Sequence, residues 1–412
     1  MDSVKLARIL IGLVLISASA FILYGTYLVK AGTFESYTVL SPISKSANIF
    51  SFFKKTTRPE KIVYGYLPYW ALDDAEYIQM DKITDIAYFG VYLNEDGTFM
   101  TTLDDGTAEP GYNNWRNNED LTALISTAQS SGVRVSLTVI SHVDEKSDKF
   151  LDCKACWSTF AANLKSELNY HKIKDVNLNF EYVELTEDAK ANQYTEFVKF
   201  LSEDLDRTYG NSFLVVSTFA DSLVKPRVTK IADLGKVSDA LFIMGYDFHR
   251  PSSDNAGPVA PIDGIDVHAE YDIRTMIKDY LANSPSNKLI LGVPYYGYNW
   301  VVESSQEYAK RIEGNDNIGY SQSQTYAAIM DTILETGPEI KWDELGKTPY
   351  FVYQSPETGS TRQVYFENVD SLSEKYDLVL QNDLAGVGIW ALGYDGGYQE
   401  LWDLLQISFG LN

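Results

Sequence analysis

The stretch VNLNFE, residues 176–181, alternates between apolar and polar side chains. Read as a β-strand, it divides into an apolar and a polar face, with Val176, Leu178 and Phe180 opposite Asn177, Asn179 and Glu181. A buried row of polar groups is costly unless each group is hydrogen-bonded. A purely structural strand would carry Val or Ile at these positions. The polar row therefore indicates either a satisfied hydrogen-bond network or a functional site.

Short apolar runs recur along the chain, and VNLNFE lies in the fourth of eight. In order they read IVYGYLPYW, ITDIAYFGVYL, VRVSLTVISH, VNLNFEYV, FLVVSTFAD, ALFIMGYDFH, LILGVPYYGYNW and AGVGIWALGYD. Most are separated by helix-like patterns such as LTALISTAQSSG and YDIRTMIKDYLANSP. Strands that alternate with helices predict βαβ units and a parallel sheet. Eight such units predict an α/β fold that closes into a (β/α)8 TIM barrel.

One interval breaks this rhythm. Residues 301–380, between the seventh and eighth strands, are about twice as long as the other units and contain the strand-like pieces YFVYQ and QVYFEN. We predict a small α+β insertion at the barrel rim there, within a barrel domain that spans residues 60–408.

The N-terminal region is apolar before it becomes irregular. Residues 9–29 carry no charge over 21 positions, which is long enough to span a bilayer. A signal peptide is the alternative, because Ser-Ala-Ser-Ala at residues 17–20 resembles a cleavage site. We therefore predict a transmembrane helix or signal segment over residues 1–30 and a linker over residues 31–59. The body of the protein would be extracellular, anchored to the membrane or secreted after cleavage.

Composition excludes some functions and leaves others open. The chain has 412 residues and a net charge of −23, so it lacks the basic surface that nucleic-acid binding requires. Its cysteines, Cys153 and Cys156, form a lone CxxC. They are either a local disulfide or two free thiols, and an exported location favours the disulfide. No phosphate loop or dinucleotide fingerprint is present, and we predict neither a metal nor a cofactor.

The predicted barrel gives the polar row of VNLNFE a position. Barrel strands point alternate side chains outward under the helices and inward to the barrel interior. The inward side chains of this strand would be those of Asn177, Asn179 and Glu181. They would line the barrel interior one above the other, with Glu181 at the carboxyl end of the strand. That end is where barrel enzymes keep their active sites.

Several of these runs resemble glycoside hydrolase family 18. KDVNLNFE, residues 174–181, resembles the fourth-strand signature DGxDxDxE of that family, and MGYD, residues 244–247, resembles its MxYD. LGVPYYGYNW is similar to the seventh strand, and GVGIWALGYD to the eighth, with the terminal tryptophan at Trp390. Within the family, the chain is similar to the bacterial spore-germination and cell-wall branch over residues 60–408.

The resemblance implies a glycosidase that hydrolyses β-1,4-linked N-acetylglucosamine glycans, with peptidoglycan ahead of chitin. Glu181 would protonate the glycosidic oxygen, and the substrate's own acetamido group would act as nucleophile. Tyr246 would hydrogen-bond the acetamido oxygen, and Asp247 would bind sugar hydroxyls or tune Glu181. Trp390 would form the floor under the sugar ring. Such a general acid needs a raised pKa, which partial burial can supply.

Further substrate-binding residues follow from their positions on the strands and, for Met244, from the resemblance of MGYD to the family motif. We predict that the groove includes Asn177, Met244, Tyr66 and Tyr296 beside Trp390. Other aromatic residues at the ends of the first and seventh strands can stack on sugars or simply pack, namely Tyr69, Trp70, Tyr295 and Trp300. His142 ends the third run, where it has no metal partner, and for His249 we expect a structural hydrogen bond.

Asn179 departs from the family pattern, which has Asp there. That Asp accepts the acetamido N–H and stabilises the positive charge that grows on the oxazoline ring. An amide brings no charge, which can cost about 2–4 kcal/mol, or about 10²- to 10³-fold in rate. A related family of N-acetylglucosaminidases uses Asn before its Glu and remains active. The alternative function is a weak or inactive carbohydrate-binding, lectin-like protein.

Overall fold

Eight parallel strands close into a barrel, as predicted. The computed structural model describes residues 39–44, 59–225, 227–267 and 270–410. The strands are β1 Ile62–Pro68, β2 Asp85–Tyr92, β3 Arg134–Ser141, β4 Asp175–Phe180, β5 Leu214–Phe219, β6 Ala240–Met244, β7 Leu289–Pro294, β8 Tyr296–Val301, β9 Gln322–Thr325, β10 Lys341–Asp343, β11 Thr348–Gln354, β12 Thr361–Tyr365 and β13 Gly386–Trp390. The barrel order is β1-β13-β7-β6-β5-β4-β3-β2.

Helices connect most of these strands. They are α1 Pro110–Asn117, α2 Glu119–Ser130, α3 Asp144–Asp152, α4 Lys154–His171, α5 Asp188–Tyr209, α6 Ile231–Val237, α7 Ile273–Leu281, α8 Tyr326–Thr336, α9 Val369–Gln381 and α10 Gln399–Phe409, with 3-10 helices at Tyr69–Tyr77 and Ser286–Lys288. Local chemistry sets several ends. Asn118 caps α2 by accepting from the Leu121 amide at 2.8 Å, and α5 ends at Gly210 with a φ of 82°.

The two faces of β4 are used as the sequence predicts. Val176, Leu178 and Phe180 belong to the apolar layer between the barrel and the helices. The Phe180 ring lies 5.0 Å from that of Tyr194 on α5. Asn177 and Asn179 are buried on the other side, within the barrel. Burial of apolar area on the outer face stabilises the barrel, and the inner face is free to carry polar groups.

The insertion forms a second, five-stranded sheet in the order β10-β11-β12-β8-β9. It begins earlier than the sequence suggests, because the run LGVPYYGYNW is two strands rather than one. After β7 the Tyr295 amide donates to the carbonyl of Trp390 at 2.7 Å, and from Tyr296 the chain pairs with β12 and β9 instead. Helix α9, within the predicted insertion, packs against β7 and β13 and so belongs to the barrel.

Two further predictions concern the N-terminal segment and the two cysteines. The apolar segment at residues 9–29 and most of the linker at 31–59 lie outside the described residues. In the ranges that are described, no helix is both long enough and apolar enough to cross a membrane. Cys153 and Cys156 form a disulfide at the start of α4, which confirms the first of the two alternatives.

Candidate active site

A cleft of about 1190 Å³ opens at the carboxyl ends of the barrel strands. Every predicted site residue except Asn177 contributes to its lining, namely Tyr66, Asn179, Glu181, Met244, Tyr246, Asp247, Tyr296 and Trp390. These residues come from β1, β4, β6, β8 and β13 and from the loops that follow β4 and β6. The closure of the barrel therefore brings together side chains that are far apart in sequence.

Glu181 is held at the mouth of the barrel by its own backbone and by the residues after it. Its amide donates to the carbonyl of Ser141 at 3.0 Å, which extends the pairing of β3 with β4 by one residue. The Tyr182 hydroxyl then donates to Asp148 on α3 at 3.1 Å. The amide of Glu184 donates to Asp144 at 2.8 Å. This anchoring fixes the direction in which the Glu181 carboxyl group enters the cleft.

The Glu181 carboxyl group forms a triangle with two other side chains. Its Oε1 lies 3.0 Å from Nδ2 of Asn179 and 3.2 Å from Nε2 of His142. The same two nitrogens, Asn179 Nδ2 and His142 Nε2, lie 3.1 Å apart. The Glu181 side chain is 34% exposed, so a ligand in the cleft can reach it.

The pKa of Glu181 is shifted in the opposite direction to the one that the sequence analysis predicts. Burial alone raises its pKa, but the net shift is downward. The hydrogen bond and the charge of His142 lower it, and the hydrogen bond from Asn179 and the charge of Arg250 add to this. The prediction of a raised pKa is therefore wrong, because it considered burial without these neighbours.

Asp247 is fixed by hydrogen bonds from the second sheet. Its backbone has a φ of 65°, a left-handed conformation that is uncommon for a residue other than glycine. The hydroxyls of Tyr296 and Tyr298 both donate to its Oδ1, the latter over 2.6 Å. Nε of Arg250 lies 3.7 Å from its Oδ2. Both carboxyl oxygens are thus engaged, and this carboxylate is held in one orientation.

Tyr246 can act as a neutral hydrogen-bond donor in the cleft. Burial raises its pKa well above the usual range, and nearby Tyr66, Glu181 and Asp247 add to the effect. The phenol is therefore protonated at any ordinary pH. Tyr246 lines the cleft, so its hydroxyl can donate to a ligand there.

The floor of the cleft is aromatic. Trp390 is partly exposed and meets the ring of Phe89 edge to face, with centroids 4.8 Å apart. Tyr66 lies 5.4 Å from the same indole ring. Such rings offer a flat apolar surface with polar groups at its margin, as sugar binding requires.

Some predicted groove residues lie elsewhere. Asn177 is fully buried below the cleft, where its Nδ2 donates to Ser217 at 3.2 Å. Ser217 in turn bonds the Tyr66 hydroxyl at 2.7 Å, so Asn177 supports a groove residue instead of contacting the substrate. The cleft lining also excludes Tyr69, Trp70, Tyr295 and Trp300.

Three residues that we did not predict shape the site. They are His142, Tyr298 and Arg250. His142 was detectable in principle, because Ser141 of β3 pairs with Phe180 of β4 and the next residues on both strands are therefore neighbours. Across the described ranges, no cluster of His, Cys, Asp or Glu is arranged to hold a metal ion.

Comparison with known proteins agrees with this geometry. The model for the glycosyl hydrolases family 18 matches residues 62–395. A Bacillus subtilis protein named as a sporulation-specific glycosylase, YdhD, is 27% identical over 310 residues, which are 75% of this chain and 66% of that protein. This chain thus spans just under two thirds of that relative's length.

Two further relatives are similar. A Dictyostelium discoideum protein named as a di-N-acetylchitobiase is 26% identical over 317 residues, 70% of this chain and 77% of that protein. The spore cortex-lytic enzyme SleL of Bacillus megaterium shares the fold, with a TM-score of 0.67 and 18% identity over 87% of this chain and 76% of that one. The chain therefore belongs to the glycosyl hydrolases family 18.

Proposed function

We propose that this chain hydrolyses β-1,4-linked glycans that contain N-acetylglucosamine, with Glu181 as general acid and the substrate's acetamido group as nucleophile. The position of Glu181 is the observation that supports this most. Its carboxyl group stands at the carboxyl end of β4, partly exposed in a cleft with an aromatic floor. A protonated carboxyl group there can reach the bond between two sugars.

The second carboxylate of the site is poorly suited to be the nucleophile. Ordinary retaining glycosidases place a free carboxylate about 5–5.5 Å from the acid. In Asp247 one oxygen accepts from two tyrosine hydroxyls and the other lies near Arg250. These bonds lower its nucleophilicity, which favours a mechanism in which the substrate supplies the attacking atom.

The steps balance with one carboxyl group. Glu181 gives its proton to the glycosidic oxygen as the acetamido carbonyl oxygen attacks the anomeric carbon and the leaving sugar departs. The product is an oxazolinium ion and an ionised Glu181. The carboxylate then takes a proton from a water molecule that attacks the anomeric carbon, which opens the ring and restores the acid.

Neighbouring side chains orient the acetamido group. The Tyr246 hydroxyl can donate to its carbonyl oxygen and so direct that oxygen towards the anomeric carbon. Asn179 lines the cleft beside Glu181, and its amide oxygen can accept the acetamido N–H. Trp390 supports the sugar ring from below. These roles require an N-acetyl group on the cleaved sugar.

Peptidoglycan is the substrate that we propose first, with chitin second. The support comes from relatives named for sporulation and for spore cortex lysis. The relative named as a di-N-acetylchitobiase supports chitin fragments instead. Peptidoglycan and chitin both contain the N-acetyl group that the mechanism needs.

We also propose that the catalytic domain works outside the cell, tethered through residues 9–29 or released after cleavage. The uncharged segment and the disulfide between Cys153 and Cys156 support this location, because disulfides persist in oxidising compartments. Protease treatment of intact cells should degrade the domain. Protection in intact cells together with recovery in the cytosol would contradict the proposal.

A carbohydrate-binding protein with little activity is the second candidate. Asn179 favours it, because it replaces the charge that stabilises the oxazolinium ion. The lowered pKa of Glu181 also favours it, because less of the acid is protonated near neutral pH.

One experiment separates the two candidates. Release of reducing ends is measured from N-acetylglucosamine oligomers and from purified peptidoglycan strands, with wild type and with Glu181→Gln, and oligomer binding is measured by calorimetry. Turnover that falls at least about a hundredfold in Glu181→Gln, with binding retained, supports the enzyme. Binding without turnover in wild type supports the lectin-like alternative. Absence of both would reject the proposed substrates.

A further inference from the structure

One nitrogen of His142 faces both a hydrogen-bond donor and an acceptor. Nε2 lies 3.1 Å from the amide nitrogen of Asn179, which can only donate, and 3.2 Å from Oε1 of Glu181. A ring nitrogen without a proton accepts from Asn179, and a ring nitrogen with a proton donates to Glu181. The geometry therefore has two matched arrangements that differ in where a proton resides.

In the first arrangement the proton is on Glu181. The carboxyl O–H can then donate to the bare Nε2, which also accepts from Asn179. In the second arrangement the proton is on His142, and Glu181 is a carboxylate that accepts from both Nε2 and Nδ2 of Asn179. Only the first arrangement leaves Glu181 able to protonate a glycosidic oxygen.

We propose that His142 is a positioning residue that shares one proton with Glu181 and thereby sets the upper pH limit of catalysis. The inference rests on the proposed function of Glu181. His142 holds the proton without releasing it to the substrate, so the overall reaction still consumes one water molecule per bond. As the pH rises and the pair is left with one proton, that proton resides on His142 in the second arrangement, so Glu181 is ionised and the general acid is lost.

The phenols and the guanidinium around the pair cannot take this role. The titratable and charged side chains that face Glu181 or His142 are the phenols of Tyr66, Tyr92 and Tyr246, the guanidinium of Arg250 and the carboxylate of Asp247. The phenols keep their protons because burial raises the pKa of each. Arg250 is permanently charged and lies against Asp247.

The charge of His142 is also related to the replacement of the family's Asp by Asn179. In the family pattern, an acid at the position of Asn179 would stand beside the general acid and hold its proton by like-charge repulsion. This chain has a neutral amide there and an imidazole across the strand pair. The protonated imidazole has the opposite effect on Glu181, in agreement with its lowered pKa. The chain should therefore work best under acidic conditions.

The decisive experiment is the pH profile of kcat/KM for wild type and His142→Gln. Glutamine can donate a hydrogen bond to Glu181 but does not titrate. The falling limb on the alkaline side should move to higher pH in the variant, with little change in KM. An unchanged limb would overturn the proposal, since a merely structural role would lower the rate without moving the limb.

A direct titration makes the test independent of turnover. The carboxyl carbon of Glu181 is followed by NMR in glutamate-labelled protein and assigned by its absence in Glu181→Gln. Its titration should move upward in His142→Gln, and coincident curves would refute the shared proton even if the protein were inactive. If activity is absent but the titration moves, the proposed function fails and the proton-sharing pair stands.

A second histidine provides the matched control. His171 on α4 is buried, donates to the carbonyl of Trp115 at 2.7 Å and lies outside the cleft. His171→Gln should leave both the alkaline limb and the Glu181 titration in place. Thermal unfolding of each variant reports whether the fold is retained. A control that moved the limb as far as His142→Gln would also overturn the proposal.

Discussion

The hydroxyl of Tyr298 lies 2.6 Å from Oδ1 of Asp247 and joins the second sheet to the loop after β6. Tyr298 stands on β8, where the chain has already left the barrel. The insertion therefore contributes a hydrogen bond to the cleft as well as covering its rim.

Tyr298→Phe should lower kcat/KM by about ten- to a hundredfold. A hydrogen bond to a charged group is worth about 1.5–3 kcal/mol, and its loss frees Asp247 to reorient. Steady-state kinetics on a soluble oligomer would measure the effect. Tyr320→Phe is the matched control, because Tyr320 is 57% exposed and bonds Asp316, and neither residue lines the cleft. Equal effects of both changes would contradict a role for Tyr298 in the site.

Asn179→Asp should raise kcat, by at most about 10²- to 10³-fold. A carboxylate at this position can accept the acetamido N–H and stabilise the oxazolinium charge, and the interaction is worth about 2–4 kcal/mol. It also raises the pKa of Glu181 through like-charge repulsion. Single-turnover rates at several pH values would measure the change. A lower rate at every pH would show that the amide is required for catalysis.

Stability should depend on pH through a buried acid in the segment that follows β13. Asp395 is fully buried, which raises its pKa to about 6, and it accepts from the Trp402 indole at 2.9 Å. A raised pKa stabilises the fold below the unfolded pKa, and this contribution is lost as pH rises through the folded value. Between about pH 4 and 6 the free energy of unfolding should fall by roughly 2 kcal/mol from this group.

Asp395→Asn isolates that contribution. Its amide oxygen can still accept from Trp402, but it cannot ionise, so its unfolding free energy should change less over the same pH range. Urea unfolding at matched pH values gives the difference between the two proteins. Parallel curves for wild type and variant would show that Asp395 does not titrate in this range.

A buried ion pair lies near the start of α9. Nζ of Lys375 lies 2.8 Å from Glu367, and the two side chains are 0% and 1% exposed. Lys375→Met should cost about 3–5 kcal/mol because it leaves Glu367 buried without a partner. The double change with Glu367→Leu should recover most of this loss, measured by urea unfolding. A double variant as unstable as the single one would contradict the assignment.

The sequence predicts the fold well because the barrel follows from local patterns. The alternation of VNLNFE assigns each side chain of β4 to its face, and eight apolar runs give the closed sheet. The second sheet is predicted less well. Nothing in LGVPYYGYNW marks Tyr295 as the residue at which the chain leaves the barrel, since the continuing partner strand lies some sixty residues further on.

Sequence predicts only those residues of the candidate site that lie within a recognisable motif. Glu181, Tyr246, Asp247 and Trp390 lie within recognisable strings, and they do line the cleft. His142 and Tyr298 act through contacts across strands and between sheets, which no local pattern encodes. The direction of the Glu181 pKa shift depends on those contacts, so burial alone gives the wrong sign.

The stereochemistry of hydrolysis tests the central claim most directly. If Glu181 protonates the bond and the substrate's acetamido group attacks first, two successive inversions at the anomeric carbon give net retention. NMR of a chitin oligomer during the first minutes of cleavage should therefore show the β-anomer of the new reducing end before mutarotation, with no signal in Glu181→Gln. Initial appearance of the α-anomer, or equal cleavage by Glu181→Gln, would contradict the account.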